Sequence, residues 1–235
     1  HNAPILAGYN ADEATLFYPS MQVPTVLVPE FPEAYEDRLA LIREIYGDAD
    51  AERLIALYGL DDPETYQSGE MDMLGDDLFG VHMRHLAASN VAQGEPTYLY
   101  HFTRVTPSER QTIGAFHAAE IFFVFGSHSP LAGLTEEDEA LTEALGMYWT
   151  NFAKTGDPNA DGLPPWPAYD PESDVWMTFN PSIETRSAVR AEKLDIMERA
   201  MVLRIAKAVP QITPPSADPV EVLGGQQVSA NRLEP

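Results

Sequence analysis

Cysteine is absent from the 235 residues, so no disulfide and no thiolate site can form, in any compartment. Lysine is scarce, confined to Lys154, Lys193 and Lys207. With arginine included there are 14 bases against 37 acids, a formal net charge of −23. Nucleic acids and anionic membrane surfaces are bound through basic patches. That balance argues against either as a partner. Long apolar runs are missing too. None approaches the ~18 residues needed to span a bilayer, so no membrane span is expected. Metal-ligand spacing is thin. His82 and His85 stand three apart on a helical stretch and could pair, but neither His101 nor any other residue completes a third ligand at an obvious spacing. Histidines on a helix surface are the simpler reading.

What is present is an ordinary apolar share, 44%, enough for a packed core. The length suits one large domain or two small ones. Ile5-Leu6-Ala7-Gly8 reads as a buried strand closed by Tyr9-Asn10. His1 is not an initiator methionine, and a domain rarely opens in mid-sheet. The chain is therefore expected to be a piece of something longer, which leaves its localisation open. Pro19 to Pro32 reads as a proline-rich loop. Tyr35, Leu39, Ile42 and Tyr46 recur at helical spacing up to Gly47. Asp50 is expected to cap a second helix that holds Leu54, Ile55 and Tyr58 and stops at Gly59. A third helix is expected from Asp76 to about Val91. Thr97–Phe102 is rich in strand formers. Thr135 and Asp138 form a capping arrangement for a strong helix with Leu141, Leu145, Tyr148, Trp149 and Phe152 on one face. Val175–Phe179 reads as a strand and Val189 to about Ala206 as a helix.

This order predicts an α/β fold, a mostly parallel sheet flanked by helices. Residues 1–206 form part of one domain, with a helical excursion over about 33–93. Residues 207–235 form an extended or loose tail. So few strands cannot bury this much apolar surface alone, so an earlier parallel sheet is the expected partner.

The chemistry centres on Gly114–Gly126. This stretch sets His117 among small residues and follows it with Ile121-Phe122-Phe123-Val124-Phe125, a run expected to anchor the loop in a core. An imidazole titrates near neutral pH and suits general-base work. A lone histidine is more often a core residue satisfied by one hydrogen bond, so a partner is needed. Glu13 is the best candidate, because it follows a strand's C-terminal end, where catalytic groups gather in open α/β sheets. Asp12 is expected to cap the turn instead. An acid after one strand and a histidine after a later one follow the chain order nucleophile, acid, base.

Three runs carry a family resemblance: Gly8-Tyr9-Asn10-Ala11-Asp12-Glu13, Gly114-Ala115-Phe116-His117-Ala118-Ala119-Glu120-Ile121, and Trp149 to Asn159 followed by Trp166-Pro167. From about Pro4 to Phe179 the chain resembles the C-terminal half of type-B carboxylesterases, the cholinesterase and para-nitrobenzyl esterase group. The resemblance implies an α/β-hydrolase fold and a Ser-Glu-His triad that needs no cofactor and acts on an ester substrate. Glu13 and His117 fall on the acid and base positions. Phe17 falls where the family places an acyl-pocket aromatic. Asp76 matches a buried acid near the triad, and Glu120 another supporting acid. The family usually has glycine after the acid; here it is Ala14. No Gly-x-Ser-x-Gly occurs in the chain, so the resemblance implies that serine and oxyanion segment belong to an N-terminal portion acting as partner. A rival reading is an inactive, cholinesterase-like adhesion or binding protein.

Overall fold

The structure, a computed structural model, describes residues 3–17 and 34–208. The Pro19–Pro32 loop and the tail beyond Ala208 lie outside the described residues. The chain divides into two compact units, His1–Ala200 and Met201–Pro235. The sheet and the candidate site belong to the first.

Its centre is a four-stranded sheet in the order β1 (Ile5–Asn10), β2 (Thr97–Phe102), β3 (Val175–Phe179) and β4 (Glu184–Ser187). The first three strands run parallel, with Ile5 beside Thr97 and Asn10 beside Phe102. β4 is antiparallel to β3. It was not anticipated: Glu-Thr-Arg-Ser is exposed at every position, so no apolar alternation announces it. Pairing with β3 alone makes it a strand. β2 is buried along its whole length, as expected of a parallel strand covered on both faces. Tyr98, Tyr100 and Phe102 face a cluster with Leu141, Leu145, Tyr148, Trp166 and Phe179. His101 faces the other way, stacked on Tyr9, which in turn meets the edge of Trp176.

The helices are α1 (Tyr35–Tyr46), α2 (Asp48–Tyr58), α3 (Tyr66–Gly75), α4 (Val81–Val91), α5 (Ala119–Val124), α6 (Glu136–Thr155) and α7 (Ala191–Ala208). Gly47 and Gly59 end α1 and α2 with positive φ, and Asp50 lies inside the first turn of α2 rather than capping it. α3 begins ten residues before the expected helix start. Its Ser68 and Gly69 depress helix propensity, so packing against α2 and the turn after Glu13 supports it. A π turn, Asp76–Gly80, joins α3 to α4. Such turns rephase a helix and recur at functional sites.

The apolar run after His117 does not bury as a block. It winds into α5, where Ala119 and Phe123, four apart, turn inward. Phe125 is left 75% exposed, with Ile121 and Phe122 beside it near the surface. α6 carries the expected capping box: Thr135 Oγ1 accepts from Asp138 N–H and Asp138 accepts from Thr135 N–H.

Candidate active site

Glu13 stands in a one-turn 3-10 helix, Glu13–Leu16, just beyond the end of β1. Its side chain is 5% exposed. Asn10 N–H donates to its Oε1 at 2.8 Å. Burial raises the carboxyl above the usual glutamate range. The Asn10 and His117 hydrogen bonds pull it back, and the nearby Glu120 pushes it up again.

The His117 loop is pinned to the same strand end. Past β1 the chain keeps pairing: Ala11 N–H bonds to Phe102 O, and Asp12 N–H to Ala115 O. Asp12 does not cap the turn with its side chain. Its Oδ2 accepts from Ala115 N–H at 2.7 Å and so holds the loop two residues before the imidazole. Gly114 makes this possible. Its φ is +67°, and a Cβ there would come within 2.2 Å of Asp12 Oδ2. Gln111 braces the turn from inside, accepting from Ile113 and Gly114 N–H and donating to Gly114 O. Ala118, also at positive φ, turns the chain into α5.

This folding brings together residues 104 apart in sequence: His117 Nδ1 lies 2.6 Å from Glu13 Oε2. A carboxylate can only accept, so the fitting tautomer carries its proton on Nδ1. Nε2 bonds to no described residue, and the side chain is 38% exposed. Phe17 lies against the imidazole with ring centroids 4.9 Å apart. Phe79, from the π turn, covers it at 5.0 Å. Phe79 was not foreseen, because its approach depends on the phase of that turn.

Glu120 joins the same strand end, where its carboxylate bonds to Asn10 and Tyr100. Its Oε2 accepts from Asn10 Nδ2 at 2.6 Å, and its Oε1 from Tyr100 O–H at 3.3 Å. The Tyr100 ring reaches it across β1 over Gly8, where a Cβ would lie 2.2 Å from Tyr100 O and 2.4 Å from its ring. Asp76 belongs to a different polar centre. It accepts from Tyr9 and Tyr58 hydroxyls and from Arg190 Nε at 2.7 Å, while the adjacent Gly75 packs near Glu13. His85 Nδ1 lies 2.9 Å from Glu198 Oε1. Among the described residues no group of three possible ligands could hold a metal. A cavity of about 340 Å³ flanks the loop on the side of Phe116, Phe122 and Leu131, and neither Glu13 nor His117 lines it.

The arrangement can take a proton at Nε2 and stabilise the resulting imidazolium with a buried carboxylate. The model of the carboxylesterase family matches residues 1–197. Carboxylesterase 1C of Mus musculus is 30% identical over 232 residues, which cover 94% of this chain and 40% of the relative. Liver carboxylesterase 1 of Oryctolagus cuniculus is 42% identical over 119 residues, 48% of this chain and 21% of the relative. Among solved structures, a PNB esterase aligns with a TM-score of 0.61 at 28% identity, over 83% of this chain and 38% of that one. The likeness extends to the α/β-hydrolase fold. The chain thus spans two fifths or less of the length of each of these proteins.

Proposed function

This chain belongs to the carboxylesterase family, and from that premise we propose that it supplies the acid and base of a serine ester hydrolase. Glu13 is the orienting acid and His117 the general base. The serine and the oxyanion-binding amides come from polypeptide outside these 235 residues, since no Gly-x-Ser-x-Gly lies within them. The observation that carries the reading is the 2.6 Å contact between His117 Nδ1 and the buried Glu13 carboxylate, with Nε2 left to face a nucleophile.

In this mechanism the serine hydroxyl gives its proton to His117 Nε2 as the oxygen attacks the ester carbonyl. The imidazolium, balanced by Glu13, then protonates the departing alkoxide. Water repeats the sequence and releases the acid. Phe17 forms a wall on the acyl side.

The test is ester hydrolysis by the full-length polypeptide that carries this chain. His117→Ala should lower kcat by on the order of 10⁴ to 10⁶. Glu13→Gln should lose as much or less, through the wrong tautomer. The double variant should be little worse than His117→Ala, because groups that act as one unit are not additive. A folded His117→Ala that keeps more than about a tenth of wild-type kcat, a loss under ~1.4 kcal/mol, makes His117 a structural histidine.

A further inference from the structure

Asn10 bonds to the acid, to the backbone beside the base and to the helix that follows the base. It is the last residue of β1 and is 1% exposed. Its backbone N–H holds Glu13 Oε1 at 2.8 Å. Its side-chain Nδ2 donates to Phe116 O, the carbonyl that precedes His117, at 2.7 Å. The same nitrogen donates to Glu120 Oε2 at 2.6 Å. One residue therefore grips the acid, the base's loop and the start of the helix that follows the base.

We infer that Asn10 is a positioning residue that sets the Glu13–His117 distance by clamping the strand end carrying the acid to the loop carrying the base. This rests on the ester-hydrolase reading only for its catalytic consequence. The clamp itself stands on the three groups it joins.

Two physical points support the assignment. The amide orientation is settled by its surroundings, because Phe116 O and Glu120 Oε2 are both acceptors and only the NH₂ end satisfies them. The backbone bond to Glu13 is buried and the two side-chain bonds are half-buried, and a hydrogen bond to a carboxylate is stronger than a neutral one. Glu120 stands at the same strand end and disfavours ionisation of Glu13. Asn10 lies between them, donating its backbone N–H to one and its side-chain N–H to the other. It lets two carboxylates share the site without a cation. Tyr100 O–H, reaching over Gly8, supplies the remaining donor to Glu120.

Loss of the side-chain donor should release Phe116 O and let the loop drift from Glu13. A misplacement of about 1 Å costs roughly 100-fold in rate. The natural full-length polypeptide is compared with Asn10→Leu, which keeps the bulk and removes the donor. Two quantities are read: the ¹⁵N shifts of the His117 ring nitrogens, followed through the carbon-bound ring protons, and kcat with KM for a soluble ester. Wild type should report one tautomer, protonated at Nδ1. Asn10→Leu should show the two shifts moving towards each other as tautomers mix, with kcat lower by about 10- to 100-fold and KM within about twofold. Packing alone would not move the tautomer. If Asn10→Leu fails to fold, Asn10→Asp has the same shape and lacks the same donor, and the same shifts and rates are expected. Unchanged ring shifts with kcat within twofold of wild type, in either folded variant, overturn the inference. The outcomes also separate the two claims. Mixed tautomers in a protein that hydrolyses no ester would sustain the clamp and sink the ester-hydrolase reading. Unchanged tautomers in an active variant would do the reverse.

Discussion

His117 is held between two phenylalanines from different parts of the chain, Phe17 from the turn after the acid and Phe79 from the π turn. The two flanking rings add to the restraint that the hydrogen bond to Glu13 places on the imidazole. On the proposed ester-hydrolase reading, Phe17 walls the acyl side of the site. Phe17→Ala should therefore raise the rate for bulky acyl esters relative to short ones, by roughly tenfold, since each methylene of pocket fit is worth about 1–3 kcal/mol of discrimination. Hydrolysis rates for a short and a branched acyl ester of the same alcohol measure this. A ratio unchanged within twofold would make Phe17 a packing residue only. The identities of Glu13 and His117 were legible in the sequence, from a strand-end acid and a histidine among small residues. Phe79 and Asn10 were not, because what they touch lies far along the chain.

At the scale of elements, α6 shows how a local signal becomes a tertiary joint. Thr135 and Asp138 close a capping box that any reader of Thr-Glu-Glu-Asp would propose. The folded protein uses the same carboxylate a second time. Arg104, on the segment leaving β2, makes a bidentate contact to Asp138 at 2.6 and 2.9 Å. The Asp138 side chain is fully buried there. Removing one partner of such a pair leaves the other charge unmatched and typically costs about 3–5 kcal/mol, whereas a cap alone is worth about 1. Asp138→Ala should therefore destabilise by about 3 kcal/mol or more, and Thr135→Ala by about 1. Urea unfolding of both variants decides the point. Equal losses would mean that the Arg104 contact contributes nothing beyond the cap.

At the scale of the whole molecule, few bases stand in an acidic protein, and several of them tie elements together. Arg84 on α4 reaches Asp195 and Glu198 on α7. Arg190 meets Asp72 and Asp76. Near the latter pair, inside the sheet layer, lies His101, whose Nε2 has no hydrogen-bond partner among the described residues. Burial pushes this imidazole down to about 4, and the Arg190 charge acts in the same direction. A depressed base takes up its proton later in the folded state than in the unfolded one. Between the ordinary histidine value of about 6.5 and 4, the unfolded chain binds more protons, so stability falls as pH falls through that window. The full difference is worth about 3 kcal/mol. His101→Phe, which keeps the stack on Tyr9, should flatten the stability profile between pH 6.5 and 4 relative to wild type. Urea titrations at three pH values measure it. Parallel profiles for the two proteins would show that His101 is protonated no later in the fold than in the unfolded chain.

Whatever depends on neighbours within a few residues was decided by the sequence alone. The stops at Gly47 and Gly59 need only a residue that tolerates positive φ. The cap of α6 needs a hydroxyl and a carboxylate three residues apart. The buried run of β2 needs strand-forming side chains in succession. Features set by distant partners were decided only in three dimensions. β4 exists because β3 offers it an edge. α5 faces Phe123 inward and Phe125 outward because a helix, not a strand, follows Ala118. Asp12 turns from its own turn to the Ala115 amide because Gly114 lets the loop approach. Glu13 and His117 could be named as chemical types from the chain, but their 2.6 Å contact is set by the pairing that continues beyond β1 and by the Asn10 contacts to both sides.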